Sequence, residues 1–188
     1  MTASLFYVVG ASGSGKDSLM AYARAQLAHD SDVVFAHRYI TRAAHAGGEN
    51  HIALTPDEFD SRRKAGLLAM HWSSHGYAYG IGIEINQWLA KGVNVVVNGS
   101  REYLPNAAER YPELKPVWIE VCADVLRARL QARGRENATE IEARLNRLAN
   151  APATNRPGTL IRNDDALAVA GDALVQLVRR HQGAAQCV

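Results

Sequence analysis

Gly10-Ala11-Ser12-Gly13-Ser14-Gly15-Lys16-Asp17 has the composition and spacing of a phosphate-gripping loop: a glycine, four residues, then Gly-Lys. Its last position departs from that pattern, because Asp17 stands where a hydroxyl is expected. The glycines let the backbone adopt positive φ and approach a ligand closely. Amides from Gly10 through Ser18 can then converge on an anion at the positive end of the following helix. Lys16 adds a mobile cation for a phosphoryl group in transfer. A simple Gly/Ser turn with a surface lysine would leave the three glycines, the lysine and the flanking elements unexplained together. The expected ligand is a nucleoside triphosphate.

Two further groups of basic residues could grip phosphate, since the guanidinium fork meets oxygen pairs bidentately. Arg38 and Arg42 open a stretch rich in histidine. Arg133 and Arg135 flank Gly134, with Arg144 further along. Gly134 suits a helix C-cap, and Thr139 with Glu142 could form a capping box on the next helix. Arginines about such a hinge fit a lid over residues 133–141 that closes on phosphate. A solvated helical hairpin would carry similar charges; the phosphate loop elsewhere in the chain favours the lid.

The elements that must hold these groups follow from hydrophobic pattern. Apolar runs at 4–9, 33–36, 93–97, 117–121 and 159–162 read as strands. Helical patterns lie near 16–28, 83–91, 101–110, 123–132, 139–149 and 165–180. This alternation predicts an α/β fold of the P-loop NTPase type, a parallel sheet flanked by helices. Ligands bind at the carboxyl ends of such strands, where the phosphate loop also falls. Residues 37–80 break the pattern with short polar and aromatic pieces and with His37, His45, His51, His71 and His75. They are expected to form a small insertion facing the nucleotide. The whole chain, 1–188, is read as one kinase-like domain with its core in 1–36 and 81–188.

Composition excludes several classes. A net charge of +2 in 188 residues gives no field for nucleic acid. Cys122 and Cys187 alone make no disulfide framework, which suits a reducing compartment. No basic leader precedes the first strand and no apolar run reaches membrane length, so a cytoplasmic protein without a membrane partner is expected.

The order of motifs resembles the guanylate kinase family over nearly the whole chain. The resemblance rests on the phosphate loop, Thr41-Arg42 with Gly48-Glu49, Glu58-Phe59, His75-Gly76-Tyr77-Ala78-Tyr79-Gly80, the Leu126 to Leu145 lid and Asn163-Asp164. It implies ATP on the loop and lid, Asn163 near the adenine, and an acceptor in the middle insertion. The departures fall on the acceptor side. Met70 replaces the glutamate that would read guanine, and Ile81 the hydroxyl after Tyr-Gly. Asn50 and His45 replace two residues that would hold the acceptor phosphate, and Asn98-Gly99-Ser100-Arg101 replaces an acidic strand end. A guanine edge buried without its acceptor would lose about 1–3 kcal/mol per unpaired donor.

A closer resemblance is to the ribose 1,5-bisphosphate phosphokinases of phosphonate utilisation. It is carried by residues 37–42, 49–54, 97–101 and 133–137 and by the loop's Gly-Lys-Asp-Ser. It implies transfer of the γ-phosphoryl group of ATP to the 1-phosphate of a sugar bisphosphate, giving 5-phosphoribosyl 1-diphosphate. Such an acceptor presents two dianions and hydroxyls but no aromatic edge. Arg38, Arg42, His45, Asn50 and His51 would line its pocket, with Asn98 and Arg101 at the sheet edge. The nucleophile is an anionic phosphate oxygen, so no general base is required. Lys16 is assigned to the β/γ oxygens and Arg133, Arg135 and Arg144 to the γ-phosphate. Asp17 is a candidate ligand of Mg²⁺, which accepts carboxylate oxygen. Alternatively it serves the helix dipole while Ser18 or water serves the metal. Three rivals remain open at this point: a guanylate kinase, a non-catalytic module of the same fold, and a hydroxyl-directed kinase using Glu49 as base.

Overall fold

The run Leu5-Phe6-Tyr7-Val8-Val9 is apolar on both faces, which suits only a strand covered on both sides. It forms β1 (Leu5–Gly10), the central strand of a five-stranded parallel sheet. The computed structural model describes residues 3–46, 49–134, 137–149 and 157–180. After β1 come α1 (Lys16–Gln26), β2 (Val33–Phe35), β3 (Arg38–Ile40), β4 (Ile52–Ala53), α2 (Pro56–Lys64), β5 (Leu68–Ser74) and β6 (Tyr77–Gly82). Then follow α3 (Glu84–Ala90), β7 (Asn94–Asn98), α4 (Leu104–Arg110), β8 (Lys115–Glu120), α5 (Ala123–Arg133), α6 (Ala138–Ala149), β9 (Thr159–Arg162) and α7 (Leu167–Arg180).

The sheet runs β2-β7-β1-β8-β9. Side chains alternate along β1. Phe6 and Val8 pack with Leu19, Met20 and Ala23 of α1 and Leu174, Val175 and Val178 of α7. Leu5, Tyr7 and Val9 pack on the other face with Ile85 of α3 and with Leu104 and Ala107 of α4. Register carries Val8 opposite Asn98 and Gly10 opposite Ile119, so the turns after β1, β7 and β8 share one edge. β9 pairs Arg162 with Glu120 and delivers Asn163 to that edge.

Residues 38–82 contain more regular structure than their polar pattern suggested. They form a second sheet, β4-β3-β6-β5, with helix α2 beside it. The β5–β6 hairpin turns through His75 (φ 49°) and Gly76 (φ 78°), both left-handed as a type I′ turn demands. Its cross-strand pairs are Met70–Ile81 and Trp72–Tyr79. α2 starts with a reciprocal capping box, Thr55 with Glu58, and Pro56 in the first turn.

α5 ends at Gly134 in the left-handed conformation, as expected. The box on α6 differs from expectation. Asn137 caps it, its Oδ1 accepting from the Glu140 amide at 3.0 Å while Glu140 accepts from the Asn137 amide at 2.8 Å. Glu142 instead pairs with Arg127 across the hairpin. Val121, Leu126, Leu130, Ile141 and Leu145 give this hairpin its own small core.

Candidate active site

The carboxyl edge of the sheet gathers Gly10 to Asp17, Asn98 to Ser100, and Asn163. Gly13 (φ 89°) and Gly15 (φ 80°) hold the loop in conformations closed to L-residues. A Cβ on Gly13 would meet Leu126 and Leu130 of α5, and one on Gly15 would collide with Asn163. Gly15 is the N-cap of α1 and contributes no side-chain cap, leaving the first amides of the helix for an anion. Asn163 braces the loop from behind, donating from Nδ2 to the Ser14 carbonyl at 2.7 Å.

Lys16 lies across the front of this loop. Its Nζ donates to Asn98 Oδ1 and, at 3.1 Å, to Asp17 Oδ1. Asn98 is buried at the end of β7, and its Nδ2 donates to Asp17 Oδ1 at 2.9 Å and to Glu49 Oε1 at 3.1 Å. Glu49 receives Arg38 in a fork, with Nε 2.6 Å from Oε1 and a terminal nitrogen on Oε2, and Arg42 stands 3.9 Å from Oε2. One continuous polar chain therefore joins the phosphate loop to the two arginines of the insertion. Tyr7 secures the turn beside Asn98: its hydroxyl accepts from the Ser100 amide at 3.0 Å.

The charges of the cleft respond to this packing. Burial pushes the Lys16 ammonium below its ordinary value, with Asp17 and Glu49 opposing. Burial alone would raise the Asp17 carboxyl; Lys16, the Asn98 amide and Arg38 together bring it below its usual range. Asp17 is thus an anion throughout the neutral range. Tyr7, wholly buried, is pushed up to about 12, chiefly by burial.

Of the residues expected at the site, Lys16, Asp17, Arg38, Arg42 and Asn98 share one network. His51 is buried, and its two ring nitrogens face the carbonyls of Glu49 (3.1 Å) and Arg42 (3.0 Å), so it braces the loop that carries them. Asn98 likewise spends both ends of its amide on protein groups. His45, Asn50 and Arg101 are exposed. Arg135 lies outside the described residues, as do the side chains of Arg133 and Arg144.

Two residues take roles at the site other than those read from the sequence, where Glu49 was the base of a rival kinase and Arg129 only part of the lid motif. Glu49 is the hub of the acceptor side. Arg129 of α5 approaches Gly15, and its Nη1 is buried without a hydrogen-bond partner among the described residues. Asn163 Oδ1 and Ser14 Oγ are similarly orphaned at the same loop. Buried polar atoms normally find partners, so a cluster of orphans around a phosphate loop fits a bound nucleotide. Magnesium fits less completely. Among the described residues no group of three or more His, Cys, Asp or Glu is placed to hold a metal, so Asp17 would share an ion with phosphate and water. Nor is any helix among them long and apolar enough to cross a membrane.

No protein-family model matches the chain. Individual relatives do. It is 58% identical over 174 residues to the ribose 1,5-bisphosphate phosphokinase PhnN of Thiobacillus denitrificans, covering 93% of this chain and 92% of the relative. The enzyme of the same name from Desulfomicrobium baculatum is 56% identical, with 93% of each chain covered. That of Chromobacterium violaceum is 51% identical, with 95% of each covered. The crystal structure of guanylate kinase from Anaplasma phagocytophilum superposes with a TM-score of 0.73 over 98% of this chain and 88% of its own. At 16% identity that is a likeness of fold.

Proposed function

Since the chain belongs to the family of ribose 1,5-bisphosphate phosphokinases, we propose that it transfers the γ-phosphoryl group of ATP to the 1-phosphate of ribose 1,5-bisphosphate. An oxygen of that phosphate attacks the γ-phosphorus, the bond to the β,γ-bridging oxygen breaks, and ADP leaves with the electron pair. The products are 5-phospho-α-D-ribose 1-diphosphate and ADP. The attacking oxygen is already anionic, so no proton need be removed and the protein's work is alignment and charge neutralisation.

The observation that carries this reading is the polar chain Lys16–Asn98–Glu49–Arg38, with Arg42 beside it, which sets an anion-binding pair across from the phosphate loop. A guanine acceptor would need hydrogen-bond acceptors where Met70 and Ile81 are wholly buried in apolar contact. The amides of residues 10–17 hold the α- and β-phosphates, and Lys16 leaves Asn98 and Asp17 to follow charge onto the β/γ oxygens. Arg129 Nη1 reaches the nucleotide beside Gly15. Arg38 and Arg42 take the acceptor's phosphate. Arg133, Arg135 and Arg144 close over the γ-phosphate as the lid. Asp17 would hold Mg²⁺ through a carboxylate oxygen, and the ion would supply charge neutralisation for the transferring phosphoryl group.

A panel of acceptors at fixed ATP and Mg²⁺ tests the assignment. Ribose 1,5-bisphosphate should release ADP rapidly, whereas GMP and ribose 5-phosphate should stay near the acceptor-free rate. Rapid ADP release with GMP alone would return the chain to the guanylate kinases; release with ribose 5-phosphate would indicate a hydroxyl acceptor.

A further inference from the structure

We propose that Glu49 is the positioning residue of the acceptor subsite, preorganising Arg38 and Arg42 and tying them through Asn98 to the phosphate loop. The proposal rests on the reading of Arg38 and Arg42 as the acceptor's phosphate clamp. Glu49 lies between β3 and β4, itself outside any helix or strand. Yet the Glu49 and Arg38 side chains are each only 11% exposed. The Glu49 carboxylate takes the Nε edge of Arg38, while the Tyr79 ring lies 5.0 Å under the guanidinium carbon. One edge and one face of that guanidinium are thereby fixed. Its Nη1 makes no hydrogen bond among the described residues and is the edge left for phosphate.

A carboxylate on a pair of arginines could alternatively be a temporary occupant that the substrate expels. The surroundings favour a permanent one. Expulsion would strand a buried anion beside Asp17, where both already share the Asn98 amide. His51 also faces the Glu49 and Arg42 carbonyls from inside the loop, so the backbone that aims both side chains is braced independently. Arg38, Arg42 and Glu49 together keep one net positive charge, enough to attract a phosphate while the carboxylate holds the like-charged guanidiniums at a set separation. Asn98 extends this frame to Lys16, so donor and acceptor phosphates are aligned by one set of hydrogen bonds.

Initial-rate kinetics on the intact protein, with ribose 1,5-bisphosphate varied at saturating ATP·Mg²⁺ and the reverse, test this. Glu49→Gln keeps the size and one acceptor oxygen but removes the charge. It should raise the acceptor KM about tenfold or more, change the ATP KM less than about threefold, and shift Tm by no more than about 3 °C. Arg38→Ala should also raise the acceptor KM, and adding Glu49→Gln to it should cost little more, because Glu49 acts through Arg38. Glu49→Asp, a shortened carboxylate, should recover part of the loss and serves if the Gln variant is poorly folded. A wild-type acceptor KM in Glu49→Gln, no recovery in Glu49→Asp, or full additivity with Arg38→Ala would overturn the positioning role. An unchanged acceptor KM in Arg38→Ala would instead overturn the clamp itself.

Discussion

Asp17 is the residue that sets this phosphate loop apart, and its surroundings explain how a carboxylate can live there. Lys16, the Asn98 amide and Arg38 stabilise its charge, and it sits in the first turn of α1, where the dipole favours an anion. A carboxylate with its pKa held below the usual range is a hard oxygen donor of the kind Mg²⁺ accepts. Asp17→Asn keeps the shape and removes the charge, so the Mg²⁺ concentration for half-maximal rate should rise by about tenfold or more. A Mg²⁺ titration superimposable on that of the wild type would assign the metal to Ser18 or water instead. At this scale the loop was legible because its glycines encode backbone geometry directly. Glu49 was read only as the base of a rival hydroxyl-directed kinase, because a carboxylate in a loop has no spacing rule that gives its partners. The available signal was that it is the sole carboxylate of residues 37–54, a segment that also holds both arginines. Asn98 and His51 were recognised as belonging to the site, but no pattern shows that an amide or imidazole points at protein groups and not at substrate.

At the scale of elements, the parallel sheet announced itself through apolar runs, and β1, β7 and β8 place their turns together by register alone. The insertion was harder. Its strands alternate polar, aromatic and apolar side chains, and β4 spans only Ile52–Ala53, too short for any periodicity. The Thr55–Glu58 box and the His75-Gly76 turn mark α2 and the β5–β6 hairpin, and neither element was read from the sequence. Tyr7 joins element to site: it belongs to β1, is wholly buried, and pins Ser100 next to Asn98. Its ionisation is displaced from an ordinary 10.0 to about 12, so the fold resists deprotonation of this phenol. The sign follows. Stability from Tyr7 is complete below about pH 10 and is lost as pH rises towards about 12, by roughly 3 kcal/mol for two pKa units. Tyr7→Phe should therefore lose about 1–3 kcal/mol at neutral pH, from the unpaired Ser100 amide, and flatten the alkaline decline. Urea unfolding between pH 8 and pH 11.5 measures both; parallel alkaline slopes for the two proteins would show that Tyr7 does not govern this window.

At the scale of the molecule, the chain has a guanylate-kinase fold whose departures from that family's pattern lie at Asp17 in the phosphate loop and, in greater number, on the acceptor side of the cleft. The donor side keeps the glycines and Lys16, and the α5–α6 hairpin has its own separate core. The acceptor side keeps Arg42 but has His45 in place of a second clamp residue, and it buries Met70 and Ile81 inside the second sheet. Fold alone would not distinguish these substrates, since the structural likeness to guanylate kinase spans 98% of the chain. The cleft's chemistry supports the proposed acceptor: cations are linked through Glu49 and Asn98, and the two exchanged positions offer no polar edge for a base. The most direct measurement is phosphorus NMR of the products formed from ATP, Mg²⁺ and ribose 1,5-bisphosphate. Paired doublets of a new diphosphate ester on the sugar should appear in step with ADP. ADP without that diphosphate, or a new phosphomonoester in its place, would contradict it.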